Sequence, residues 1–217
     1  MRHGTVDSNL LSCEALELKA GYRTLIRNFS ASVSTGEAVA IVGPNGLGKT
    51  TLLRSLCGVA RPHRGQVKLN GYQLWPEKDH ALATDICYLA SQPALFQEHT
   101  VASNLEFYAR AKGRSWNLFE ATEVLTKVGL ADRFKQTVRS LSTGQKRRLT
   151  IAFLLLVKPN LMFLDEPTNG LDSAGKELFF KSVTELRQNG AAILVATHDL
   201  ELTEWCGTSW ELSRWLP

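Results

Sequence analysis

Apolar residues alternate or cluster from Leu10 to Leu18 and from Ala38 to Val42, as strand residues do. Ser34-Thr35-Gly36-Glu37, just before the second run, has the composition of a turn, so the N-terminal part reads as strand-rich. Over Thr51 to Gly58 the pattern changes: Leu52, Leu53 and Leu56 fall on one helical face and Gly58 is a helix stop. Pro62-His63-Arg64-Gly65 then leads into short strands from Gln66 to Leu69 and Gln73 to Trp75. Asn70-Gly71 between them is the pair that two-residue hairpin turns favour, which predicts a small antiparallel sheet. Ile86 to Leu89 reads as a strand. From Val101 to Val128 apolar residues recur at helical steps (Leu105, Tyr108, Ala109, then Leu118, Ala121, Val124, Leu125, Val128), predicting a helical insert. A helix follows from Ser140 to Val157. Leu161 to Leu164 and Ala191 to Ala196 read as buried parallel strands joined by a helix over Asp172 to Gln188, a right-handed crossover. The core is predicted to be α/β.

Composition narrows this little. A chain of 217 residues fits one domain, or one with a small insert, and 44% hydrophobic with 21% charged residues argues against disorder and coiled coils. The net charge of +4 is scattered, so no direct nucleic-acid partner is expected. Its nearest approach to a run, Lys146-Arg147-Arg148, reads as the solvated first turn of a helix. Cys13, Cys57, Cys87 and Cys206 stand singly, without metal or redox spacing, and are expected to be reduced. The apolar run Ile151 to Val157 is far below the roughly 20 residues a bilayer span needs. Met1 to Asp7 lacks the apolar core of a signal peptide.

Chemistry concentrates at two places. Gly43-Pro44-Asn45-Gly46-Leu47-Gly48-Lys49-Thr50 fits G-x-x-x-x-G-K-[ST] between a predicted strand and the helix opening at Thr51. Glycines let backbone N–H groups converge on phosphate oxygens, and the helix N-terminus adds positive potential. Lys49 is placed to reach the β- and γ-phosphates and Thr50 to ligate Mg2+. Far downstream, the strand Leu161 to Leu164 ends in Asp165-Glu166. A carboxylate there suits Mg2+, and Glu166 is placed to polarise an attacking water.

Leu141-Ser142-Thr143-Gly144-Gln145 precedes this acidic pair, and the combination resembles the nucleotide-binding domain of the ATP-binding cassette (ABC) family over about Leu10 to Leu200. The resemblance implies a P-loop (RecA-like) core with an N-terminal antiparallel β subdomain (together 1–92 and 156–217) and a helical subdomain (93–155). It implies ATP hydrolysis with Mg2+ and a head-to-tail dimer, each ATP lying between one subunit's residues 43–51, Thr51 included, and the other's Ser142, Gly144 and Gln145. Gln92 matches the glutamine that bridges the metal site and the transport partner, and His198 the histidine that contacts the γ-phosphate. Tyr22 matches the aromatic residue that stacks on adenine; the plainer, less favoured reading is a partly buried tyrosine anchoring a turn. Asp172 matches the loop that signals across the dimer, or is simply a helix N-cap. The chain departs from the family pattern at Leu47, where a small residue is usual, at Thr143, for glycine, and at Asn169-Gly170, for Ser-Ala.

Two roles fit such an ATPase: the energy-coupling subunit of a transporter whose membrane-spanning subunits are separate chains, or a soluble switch acting on ribosomes or nucleic acid. A single cassette without a long inserted coil favours transport, with the chain peripheral on the cytoplasmic face of the inner membrane. Residues 104–108, Val138-Arg139-Ser140 and Lys146-Arg147-Arg148 are similar to the haem-exporter ATPases of cytochrome c maturation. That similarity implies export; an exporter of another substrate remains the alternative. A groove for the partner's coupling helix is expected between Gln92 and the helical insert, with Phe96 and Phe107 either lining it or serving as core.

Overall fold

The computed structural model describes residues 9–75, 86–92 and 94–217, so Met1 to Asp7 and Pro93 lie outside the described residues. The chain forms two compact units, Met1–Ala83 with Ala192–Pro217, and Thr84–Ala191.

In the first unit, β1 (Asn9–Ala20) and β2 (Arg23–Ser34) pair antiparallel, and β4 (Arg64–Leu69) and β5 (Tyr72–Trp75) extend the sheet in the order β2-β1-β4-β5. The β4–β5 turn is Asn70-Gly71, with φ of 51° and 76° and Leu69 opposite Tyr72, as the sequence predicts. β2 was not distinguished in the sequence. Its partner β1 shifts register on both sides of Leu16, and Ala15 (φ 48°) and Asn28 (φ 55°) bulge, which breaks the simple alternation. At the edge of this bulge a Cβ on Gly65 would stand 2.6 Å from the carbonyl oxygens of Glu14 and Ala15, so only glycine passes.

The same unit holds three parallel strands, β3 (Ala38–Val42) between β8 (Ala192–Ala196) and β9 (Thr208–Glu211), with α1 (Lys49–Leu56) and α6 (Leu200–Cys206). α1 begins at Lys49, ahead of the predicted Thr51. β9 and α6 are findings of the structure. Residues 208–215 return to the antiparallel sheet, where the ring of the fully buried Phe29 meets Trp210 at 5.3 Å and Trp215 at 4.9 Å, both edge-on.

The second unit pairs β6 (Ile86–Leu89) with β7 (Leu161–Asp165) in parallel and adds α2 (Val101–Ala111), α3 (Leu118–Lys127), α4 (Thr143–Val157) and α5 (Ser173–Gln188). The predicted insert is thus two helices, parted at residues 112–117. α4 touches α2, α3 and α5, so its residues from Leu149 to Val157 are all buried; this explains an apolar run without periodicity. Each of these helices has a side-chain N-cap: Thr100, Asn117, Ser142 and Asp172. Asn104, also buried, accepts from the Phe96 N–H (2.9 Å) and donates to the carbonyls of Phe96 (3.0 Å) and Thr100 (2.9 Å), tying down the approach to α2.

Candidate nucleotide site

In the first unit, β3 delivers the chain to Gly43 and α1 carries it away from Gly48. Gly43, Gly46 and Gly48 have φ of 143°, 81° and 102°, conformations that side chains disfavour. Gly48 is also the N-cap of α1 and brings no side-chain hydrogen bond, so the leading N–H groups of this helix are not capped from within by a side chain. Lys49 is only 8% exposed; its Nζ curls back to donate to the Gly43 carbonyl at 2.7 Å and the Pro44 carbonyl at 3.3 Å. An ammonium held over a glycine loop at an uncapped helix start is a donor set that fits a polyphosphate. Leu47 turns its Cδ1 to within 3.2 Å of where a Cβ on Gly43 would sit, which gives this unusual residue a place against the loop itself.

β8 brings a second residue to the same end. Its Ala196 is in register with Ile41 of β3, so His198 and Gly43 each lie two residues beyond paired positions. The Thr197 N–H donates to the Ile41 carbonyl (3.3 Å) and the Thr197 hydroxyl accepts from the Asp199 N–H (3.0 Å), fixing the turn from which the exposed His198 projects. Strand C-terminal ends are where open parallel sheets bind ligands. Tyr22, in the β1–β2 turn, is fully exposed, which leaves its ring face available and argues against the turn-anchor reading. Thr50 and Thr51 lie in the first turn of α1, and Pro44 and Asn45 lie exposed in the loop.

In the second unit, Leu89 of β6 is in register with Leu164 of β7, so Ala90 stands level with Asp165 and Gln92 follows within two residues. Asp165 is 3% exposed, whereas Glu166 and Gln92 are accessible. Glu166 adopts φ 48°, a left-handed conformation uncommon outside glycine that turns the chain sharply out of β7.

Ser142 and Gln145 form a capping box at the start of α4. The Ser142 hydroxyl accepts from the Gln145 N–H (3.2 Å), and the Gln145 side-chain oxygen accepts from the Ser142 N–H (3.0 Å). Gly144 faces the Gly170 carbonyl, at 3.7 Å from a built Cβ. Asp172 is indeed the N-cap of α5. Its Oδ1 accepts from the Gly175 N–H (2.7 Å) and from Arg148 (3.2 Å), and these hydrogen bonds, the backbone one foremost, hold its carboxyl below the usual range.

The run Lys146-Arg147-Arg148 is therefore not the solvated helix turn its charge suggests. Arg148 pairs with Asp172, and Arg147 is buried, donating to the carbonyls of Ala90 (3.4 Å) and Ser91. Burial pulls the Arg147 guanidinium below its ordinary pKa while the charge of Asp165 pushes back. Four residues N-terminal to the apolar run Ile151 to Val157, such an arginine gives no sequence sign of being inward.

Residues 26–169 match the ABC transporter family model. The chain belongs to this family. It is 35% identical over 193 residues to the cytochrome c biogenesis ATP-binding export protein CcmA of Albidiferax ferrireducens, covering 88% of this chain and 91% of that protein. It is equally 35% identical over 196 residues to the uncharacterized ABC transporter ATP-binding protein YdbJ of Bacillus subtilis, covering 90% of this chain but only 63% of that one. Among solved structures, an ATP-binding cassette captured as a dimer with ADP and Pi is 27% identical with a TM-score of 0.81, covering 90% of each chain. This ABC family chain accordingly has the P-loop nucleoside-triphosphatase fold and is an ATP-binding, ATP-hydrolysing domain. Among its described residues no helix is long and apolar enough to cross a membrane.

Proposed function

We propose that the chain is the ATP-hydrolysing subunit of an export-type ABC transporter, peripheral to a membrane and working with membrane-embedded subunits on separate chains. The observation that carries the catalytic part is the buried Lys49 ammonium donating to the carbonyl of Gly43, the loop residue that stands level with His198 beyond the ends of β3 and β8.

In this reading, residues 43–51 bind the phosphates, Lys49 neutralising the β- and γ-phosphate charge, and Tyr22 stacks on adenine. Thr50, Gln92 and Asp165 would hold Mg2+, which would supply positive charge to the phosphate oxygens. Glu166 accepts a hydrogen bond from the attacking water and so orients it, and His198 donates to the γ-phosphate. Ser142, Gly144 and Gln145 meet the γ-phosphate of ATP held by a second copy in an ATP-driven head-to-tail dimer. The capping box supports this, since a capped helix start still presents free N–H dipoles outward. Phe96 and Phe107, half-exposed with ring centroids 4.6 Å apart, would receive an apolar segment of the membrane partner.

Within export, the haem-handling assignment draws on the likeness to CcmA, while YdbJ, at the same identity, names no cargo. Two experiments test the proposal. Glu166→Gln should bind ATP with affinity near wild type, lower kcat by about 100-fold or more and convert the chain to an ATP-dependent dimer in size-exclusion chromatography. An active, monomeric Glu166→Gln rejects the catalytic assignment. Mild-detergent purification of that variant from native cells should recover polytopic membrane proteins, with haem-handling partners if the cargo reading is right; ribosomes or nucleic acid without membrane proteins reject transport.

A further inference from the structure

We infer that Arg147 is a positioning residue that ties the segment leading to Gln92 to the first turns of α4, the helix headed by Ser142 and Gly144. This rests on the catalytic reading above and extends it to a residue that reading leaves without a role.

The geometry is specific. Arg147 is 7% exposed, and its two terminal nitrogens reach two successive carbonyls, Ala90 (3.4 Å) and Ser91, the residues between the end of β6 and Gln92. A buried guanidinium is expensive unless its donors are used, so a helix that could carry an aliphatic residue here bears a cost that a purely apolar contact would avoid. Its planar fork spans both acceptors, whereas a lysine ammonium offers a single point of charge. The nearby Asp165 carboxylate, level with Ala90 across β6 and β7, offsets part of the burial. Arg147 stands three residues after Gly144, about one helical turn. Movement at the head of α4 is thus passed through a rigid side chain to the backbone that carries Gln92, within one compact unit. A Gln92 released from this tie would still be present but no longer held where it acts.

The test compares Arg147→Met, Arg147→Lys, Gln92→Ala and the Arg147→Met/Gln92→Ala double variant, with Glu166→Gln as a control for the reaction itself. Arg147→Met should change the dissociation constant of a fluorescent ATP analogue by less than about threefold while lowering kcat by about tenfold. In the Gln92→Ala background the same change should alter kcat by less than about twofold, because both act at one point. Arg147→Lys should recover part of the loss. Independently of turnover, hydrogen exchange of backbone amides over residues 89–92 should accelerate in Arg147→Met with α4 and α5 unchanged. Equal kcat losses in both backgrounds, or unaltered exchange over 89–92, overturn the inference; should Arg147→Met not fold, Arg147→Lys carries the same comparisons. An active Glu166→Gln would instead strike the catalytic reading, leaving the exchange measurement to judge the tie.

Discussion

Thr143 and Gly170 look like two unrelated departures in the sequence, yet they share one space. A Cβ built on Gly170 would lie 3.4 Å from the Thr143 Cγ2, and Gly170 has φ 78°. The methyl that the usual pattern places at 170 is replaced by one from 143. Gly170→Ala should therefore lose about 1 kcal/mol in urea unfolding, from backbone strain with a smaller steric part. Combining it with Thr143→Gly should recover only the steric part, and full recovery would show that the backbone tolerates alanine there. Cys13 gives a second test. Burial pushes its thiol up to about 12, so it stays protonated when folded, whereas an unfolded thiol ionises near 8.5. A raised folded pKa gives stability that is complete below about pH 8.5 and fades as pH rises toward 12. The urea midpoint of wild type should fall more steeply between pH 8 and 10 than that of Cys13→Ala, and parallel curves would refute the assignment.

At the scale of elements, the site was legible where a local pattern and its chemistry coincide. The glycine loop and the Asn70-Gly71 turn each declare a geometry that needs no distant partner. What stayed hidden depends on such partners: β2 on a bulged neighbour, and Arg147 on carbonyls 56 and 57 residues away. The α4 cap is open to a direct check. Ser142→Ala removes the acceptor for the Gln145 N–H and should cost about 1 kcal/mol in nucleotide-free unfolding. Ser142→Asp, which keeps an acceptor and adds favourable charge at the helix start, should retain that stability while impairing any role toward a γ-phosphate. A Ser142→Asp as unstable as Ser142→Ala would mean that the capping box contributes little.

On the scale of the whole chain, the motifs legible in sequence divide between the two units. The phosphate loop, Tyr22 and His198 belong to one; Gln92, the head of α4, Asp165 and Glu166 belong to the other. The first unit is completed by residues 192–217. Their return is held by β9 and by Trp215, neither marked by periodicity: Thr208-Ser209-Trp210-Glu211 is too short and too polar to read as a strand. Trp215 packs edge-on to the buried Phe29 at 4.9 Å, and Glu211 and Leu212, four and three residues earlier, border Gly43, at 3.6 and 3.7 Å from its built Cβ. Trp215→Ala removes only the first of these supports and should cost about 2 kcal/mol, less than a fully buried aromatic, while leaving nucleotide affinity within about twofold. Gly43→Ala acts on the other. Its methyl, at φ 143° and 3.2 Å from the Leu47 Cδ1, should weaken nucleotide binding by about tenfold or more. Loss of nucleotide affinity in Trp215→Ala matching its loss of stability would show instead that the C-terminal return and the loop unfold together, as a single cooperative element.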